Sequence, residues 1–193
     1  MSDIQRRPRS DATRNVEAIV GACLDLLGAG ADPSMADIAS AAGLARQTVY
    51  AHFPTRKALL AAALERATAE VAETLAGTEP DSGPLDEAID RWVTACWDSI
   101  DRLPALLNPV LTDVAPAADP IEQHLPIIET LRRLAGRATK ERRLPPALSV
   151  DWLMTATLAL GHAAAAEVAA ERMSHQQAQA AFSHAVHNLF GSG

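Results

Sequence analysis

Apolar positions in this chain recur at the three-to-four-residue spacing of helices, and no run of alternating β-branched residues stands out to suggest strand. Val16, Ile19, Val20, Cys23, Leu24 and Leu27 share one face of a helix predicted over about Thr13 to Leu27, closed by Gly28 and Gly30. Ser34 then reads as an N-cap, with Asp37 three residues on, where a capping box wants a carboxylate. Ile38, Ala39 and Ala42 give the short helix that follows one buried face. Gly43 supplies a turn, since glycine takes a left-handed backbone without a Cβ penalty. Leu44 packs under that turn, and a further helix runs from about Ala45 to His52 with Val49 and Phe53 spaced to face inward. Pro54 ends it, because the residue before a proline is pushed out of helical geometry. Thr55 is placed to cap a long helix from Arg56 to about Leu75, whose Leu59, Leu60, Ala63 and Leu64 face inward.

Gly77 to Pro84, GTEPDSGP, is a loop by composition. Helices are predicted over Leu85 to about Arg102 and Ile121 to about Lys140, on either side of a proline-rich stretch from Pro104 to Pro120. Pro145-Pro146 precedes two strongly patterned helices. The first spans about Ser149 to Arg172, with a stripe of Val150, Leu153, Met154, Thr157, Leu158, Gly161 and Ala165. The second spans about His175 to Phe190, with Ala178, Ala181, Phe182, Ala185, Val186, Leu189 and Phe190 in register. Small residues at Gly161 and Ala163 to Ala166 let another helix approach closely. Hydrophobic residues make up 48% and aromatics only 4%, a balance that favours helix over strand. The expected fold class is therefore all-α. A three-helix N-terminal domain at 1–55, with a basic arm at 1–12, precedes a larger helical domain at 56–193, and a chain of 193 residues suits that division.

Two short helices, a glycine turn and a second helix with a polar outer face are what a reader of the DNA major groove requires. A net charge of −7, taken over the whole chain, argues against a nucleic-acid partner, but it is unevenly distributed. Residues 1–60 carry 7 Lys and Arg against 6 Asp and Glu, a balance of +1, whereas residues 61–193 carry 10 against 18, a balance of −8. Arg6, Arg7, Arg9 and Arg14 sit in the polar arm; they reach a minor groove or form a disordered basic tail. Affinity for DNA depends on local cations at phosphates, not on whole-chain charge. On the second short helix, Arg46, Gln47, Thr48, Tyr50 and His52 are left to face outward. Arg46 suits guanine O6/N7, Gln47 suits adenine N6/N7, and the Thr48 methyl suits a thymine methyl. Tyr50, His52 and Lys57 are better cast as phosphate clamps, with Ser34 at the N-terminus of the first short helix.

The residues Ile38, Ala39, Ala42, Gly43, Leu44, Thr48, Val49, Tyr50, His52, Phe53, Lys57, Leu59 and Leu60 form a long ordered string. In it the chain resembles the TetR family of bacterial transcriptional regulators over its first third. Ala45 stands where the family usually places Ser or Thr, so the recognition helix lacks its usual N-cap; Gln47 replaces a small residue common just before the Thr. By resemblance, Tyr50 and Lys57 hold the DNA backbone, and the last two helices, about 149–190, pair with their twins in a homodimeric four-helix bundle. Two-fold symmetry is also what a helix-turn-helix needs to read a palindrome. The alternative is that both stripes simply fill the monomer core.

The resemblance further implies a small-molecule effector in the distal domain. Candidates to line its site are Trp92, Cys96, Trp97, Leu106, Leu107, Leu111, His124, Ile128 and Trp152, large or polar side chains on the middle helices, with ordinary core packing as the competing explanation. Their apolar character suggests a hydrophobic or aromatic effector. Other constellations carry little. Cys23 and Cys96 make no disulfide framework, and His184 with His187 lacks a third ligand. The basic run Arg132, Arg133, Arg137, Lys140, Arg142 and Arg143 complements a helix C-terminus. There is no phosphate loop, nucleophile elbow or HExxH, so no enzyme activity and no cofactor is expected. The N-terminus lacks the apolar core of a signal peptide, and the stretch from Leu153 to Ala170 is a poor membrane span, which places the protein in the cytoplasm. The expectation is a homodimeric repressor released from a palindromic double-stranded DNA operator by an effector. An activator or effector-independent regulator of the same fold is the alternative, followed by a helical enzyme or binding protein with a structural helix-turn-helix.

Overall fold

A proline at position 8 does not delay the first helix. In the computed structural model, which describes residues 7–113, 125–144 and 148–191, helix α1 spans Arg7–Gly28 and so begins six residues before the Thr13 expected from apolar spacing alone. The first turn of a helix has no use for its N–H groups, so proline is tolerated there. Half of the basic arm is thereby helical: Arg14 pairs with Asp11 on the α1 surface, and Arg6 lies outside the described residues. Among the described residues every regular element is helical, and none is long and apolar enough to cross a membrane.

The chain divides into two compact units, Met1–Ala67 with Leu103–Ala117, and Thr68–Arg102 with Ala118–Gly193. The first holds α1, α2 (Met35–Ala41), α3 (Arg46–His52) and the start of α4 (Arg56–Ala76). The later segment adds a 3₁₀ turn, Pro104–Leu107, and a single turn α6, Pro109–Thr112. This unit is larger than the domain expected at 1–55, because its core recruits side chains from both additions. Ile19, Cys23, Leu27, Ile38, Val49, Phe53, Leu59 and Leu60 form one buried cluster with Ala105 and Leu111. Burial of each larger aliphatic contributes about 1.5–3 kcal/mol before entropy is counted. Pro104 packs on Gly28 at the end of α1, and the Asn108 side chain reaches the α1 C-terminus.

The second unit contains the rest of α4, α5 (Leu85–Arg102), α7 (Leu125–Lys140), α8 (Val150–Ala169) and α9 (His175–Leu189). Helix α9 packs on α8 and α5, while α7 packs on α8 and α5. Ser149 caps α8 through Trp152 N, and Ser174 with Gln177 forms a full capping box on α9. The interior is built from Ile89, Trp92, Val93 and Trp97 of α5, Ile128, Leu131 and Leu134 of α7, Leu153 and Met154 of α8, and Phe182, Val186 and Phe190 at the α9 end. Gly161 of α8 faces the Phe182 ring, which would lie 3.5 Å from an added Cβ, so a small residue here serves close packing within one chain.

The loop between α4 and α5 is held by arginines. Arg91 donates to the carbonyls of Thr78 (3.0 Å), Glu79 (3.3 Å) and Ser82 (2.8 Å). Arg137 donates to those of Pro80 and Gly83, both at 2.6 Å, and Arg133 pairs with Asp81. Arg143 pairs with Asp86 at 2.8 Å. Arg133 and Arg137 on α7, and Arg143 just past its end, thus bind named partners rather than only complementing a helix dipole.

Candidate nucleic-acid interface

The helix-turn-helix is assembled from local chemistry. The Ser34 hydroxyl donates to Asp37 Oδ2 at 2.6 Å, the Ser34 N–H donates to the same oxygen at 2.9 Å, and Asp37 N–H returns a bond to Ser34 Oγ at 3.3 Å. Those bonds hold the Asp37 carboxyl below the usual carboxylate range, the hydroxyl contributing most and the Arg46 charge least. Ser34, expected among the DNA contacts, therefore has its hydroxyl proton and its amide committed to building α2. Gly43 adopts φ +66°, as the turn requires, and Leu44 N–H closes it on the Ala39 carbonyl at 3.0 Å.

Helix α3 follows with Ala45 as N-cap, and no side-chain cap bond is made there. Val49 and Phe53 are buried and fix the helix against the core, which determines the face that remains. Arg46, Gln47 and Tyr50 are exposed on that face, and Thr48 and His52 are half-buried beside it. Tyr50 is 50% exposed, a large aromatic with a phenolic OH free to meet a phosphate. Lys57 is exposed in the first turn of α4, whose N-terminus Thr55 caps by accepting from Ala58 N–H at 3.1 Å. The structure thus brings Arg46, Gln47, Thr48, Tyr50, His52 and Lys57 into one compact unit, supported by α2.

Arg56 was not singled out by its sequence context. Its Nε donates to the Pro33 carbonyl at 2.9 Å and its guanidinium pairs with Asp32, tying the start of α4 to the entry of α2. Proximity to Asp32-Pro33 in a prior loop leaves no periodic signal, so only the fold reveals the clasp. Cys23 lies in this unit's core, and burial pushes its thiol up to about 11, with Arg56 pulling the other way.

The residues expected around an effector are dispersed. Trp92 and Trp97 are each 1% exposed on α5 in the second unit, where Ile128 is also buried. The Trp92 indole N–H has no acceptor among the described residues. Burial pushes the Cys96 thiol up to about 12, so it stays protonated. Leu111, by contrast, belongs to the core of the first unit at 0% exposure, and Leu106 packs against that same core. Leu107 is 37% exposed and Trp152 57%, so both lie at the surface. Periodicity marked these leucines as apolar without saying which core they fill. His124 lies outside the described residues. Among the described residues no group of three His, Cys, Asp or Glu side chains could hold a metal ion. His187 instead binds Asp90 at 2.7 Å, and His184 binds Asn188 at 3.0 Å.

Residues 29–63 match the family described as bacterial regulatory proteins, tetR family. None of the curated proteins matches the chain. Among solved structures, the TetR-like transcriptional regulator LfrR from Mycobacterium smegmatis, in complex with proflavine, is 25% identical over 93% of this chain and 97% of its own, with a TM-score of 0.59. A TetR family transcription regulator from Marinobacter aquaeolei VT8 is 17% identical over 95% of this chain and 96% of its own, with a TM-score of 0.69. The fatty acid degradation regulator FadR from Bacillus halodurans is 15% identical over 93% and 95%, with a TM-score of 0.68. These last two share the fold. A helix-turn-helix with an exposed outer face, in a chain with a second, larger helical unit, is the fold of a DNA-binding transcription regulator. Over residues 29–63 the chain matches the tetR family, and the chain as a whole has the fold of TetR-family regulators.

Proposed function

We propose that the protein is a homodimeric cytoplasmic repressor, without enzymatic activity, that binds a palindromic operator and is released by a small apolar effector. The observation that carries the DNA-reading role is the division of α3, with Val49 and Phe53 buried and Arg46, Gln47 and Tyr50 exposed. Arg46, Gln47 and Thr48 read bases, while Tyr50, His52 and Lys57 hold phosphates. Dimerisation through about 149–190 is supported by Trp152, which is 57% exposed on the first turn of α8, and by alanines exposed along the same helix at 159, 163 and 166. Effector binding in the distal unit is supported by Trp92, whose buried N–H suits an acceptor on an otherwise apolar molecule. Release then requires only that the effector favour a conformation whose two heads no longer match successive major grooves.

The test is fluorescence anisotropy against DNA from the gene's own upstream region, with a scrambled duplex and a salt series. Tight binding to the native fragment at two protomers, or a multiple, per site is expected. Lys57→Ala should weaken binding to all sequences and lower the salt slope by about 1, whereas Arg46→Ala should cost about 1–3 kcal/mol and relax preference at one base. Unchanged affinity in both variants would refute the contact assignment. Proflavine, which LfrR binds, is the first effector probe.

A further inference from the structure

We propose that His175 is a proton-sensitive latch on the seam between α5 and α9. The Trp97 indole N–H, on a side chain buried in the second unit, donates to His175 Nδ1 at 3.0 Å, with the two rings 4.9 Å apart and tilted by 58°. On the far side of the ring, Nε2 lies within ion-pair distance of the Asp101 carboxylate, is screened from solvent, and makes no hydrogen bond of good geometry to it. Indole nitrogen is a donor only, so Nδ1 must be the lone-pair nitrogen and the single proton of the neutral ring sits on Nε2, toward Asp101. The imidazolium form carries a second N–H on Nδ1. That proton points at the Trp97 N–H, and two donors cannot share a hydrogen bond.

Protonation therefore trades one contact for another. The Trp97 N–H loses its acceptor inside the unit, while the Asp101 pair gains a full positive charge. The charge also arrives on the first residue of α9, where the positive end of the helix dipole opposes it. The surrounding groups leave the balance to these partners. Helix α9 packs on α5 and α8. On α5, Asp98 is exposed, and Arg102, the neighbour of Asp101, donates to Thr74 at 3.1 Å. At the end of α8, Glu167 is engaged by Arg172 through two bonds of 2.7 Å, and Glu171 is exposed in the turn leading to His175. Histidine is the side chain whose charge ordinarily changes between about pH 5 and 8. Acid thus moves the bonding of the ring from Trp97 to Asp101, exchanging one contact with α5 for another on the same helix and leaving the Trp97 N–H without its acceptor.

The test reads the indole N–H signals of the chain's three tryptophans by 1H–15N correlation across that pH range, with Trp97 assigned by its loss in Trp97→Phe. The Trp97 signal is expected to shift with the same midpoint as the His175 ring carbon, while those of Trp92 and Trp152 stay put. In His175→Asn, whose amide oxygen stands in for Nδ1, the Trp97 signal should not titrate. A Trp97 signal that ignores the His175 transition, or that titrates equally in His175→Asn, overturns the latch. Should that variant fail to fold by circular dichroism, the ring tautomer of the unmodified protein decides: a proton on Nδ1 at alkaline pH refutes the proposal, and a bare Nδ1 supports it.

Discussion

The side-chain amide of Asn108 donates to the Leu27 carbonyl at 2.8 Å, across 81 residues of chain, and to the Ala31 carbonyl at 3.0 Å. Its own oxygen accepts from Val110 N–H at 3.0 Å. A helix leaves its last carbonyls without partners, and here a residue from the later segment of the same unit satisfies one at the α1 end. Asn108→Ala should cost about 1–3 kcal/mol, since the Leu27 carbonyl keeps only the Gly30 N–H, and the Ala31 carbonyl and the Val110 N–H lose their Asn108 partner. Asn108→Asp should do no better, because a carboxylate cannot donate. Urea unfolding midpoints measure both; a midpoint unchanged in Asn108→Ala would remove this clasp from the account of stability.

Ala45 is an N-cap without a capping atom. Ala45→Ser should raise stability by about 1 kcal/mol by accepting from the free N–H groups of the α3 first turn. A thermal melt detects the gain, and no gain would mean that those groups are already satisfied by solvent.

Acid should weaken the fold in a residue-specific way. The carboxyls of Asp37, Asp81 and Glu167 are held below the ordinary range by the Ser34 hydroxyl and by the Arg133 and Arg172 guanidinium groups respectively. A carboxyl whose folded value is depressed stabilises the protein above its unfolded value and loses that contribution as pH falls through the folded one. Stability measured by urea titration should therefore drop from about pH 4 downward. In Asp37→Asn the drop should be shallower and the stability at neutral pH lower. An identical acid limb would show that the Ser34 bonds do not discriminate the ionised form.

Gly191 has φ +72°, and a Cβ there would collide with the Arg143 carbonyl oxygen. Both the backbone conformation and the close approach require glycine. Gly191→Ala should lower the unfolding free energy by about 1–3 kcal/mol, the usual range for backbone strain. Differential scanning calorimetry would record the lowered midpoint.

Trp152 bears on the proposed dimer. If a second copy covers it, Trp152→Ala should weaken self-association by about 2 kcal/mol or more, as interface tryptophans commonly do. Sedimentation equilibrium reads the change directly. Association unaltered by the substitution would place the dimer elsewhere on the chain.

The helices from Ser34 to Arg102 were legible because each boundary is written in neighbouring residues. Ser34 with Asp37, Gly43, Thr55 and the run from Gly77 to Pro84 all act within a few positions, and each does in the fold what its local chemistry implies. The exposed face of α3 was legible for a similar reason, since burying Val49 and Phe53 leaves only one face outward. What could not be read is contact across the chain. Arg133 meets Asp81 over 52 residues, and Asn108 meets Leu27 over 81. Periodicity assigned Leu111 an interior position but carried no information on which interior, and an apolar count could not tell buried Trp92 from exposed Trp152. The early start of α1 was missed because its first turns are polar and helical spacing is visible only where apolar residues repeat.

Arg91 and Arg137 grip the loop from Gly77 to Pro84 by the carbonyls of Thr78, Glu79, Pro80, Ser82 and Gly83, groups that every amino acid carries. Such a grip is indifferent to spelling and strict about count. Side chains that take no other part in the loop can change without weakening this grip, whereas an insertion or deletion would carry the carbonyls out of reach of the two guanidinium groups. Identity matters where Asp81 meets Arg133 and where Gly83 adopts φ +71°; elsewhere the loop is held by its length.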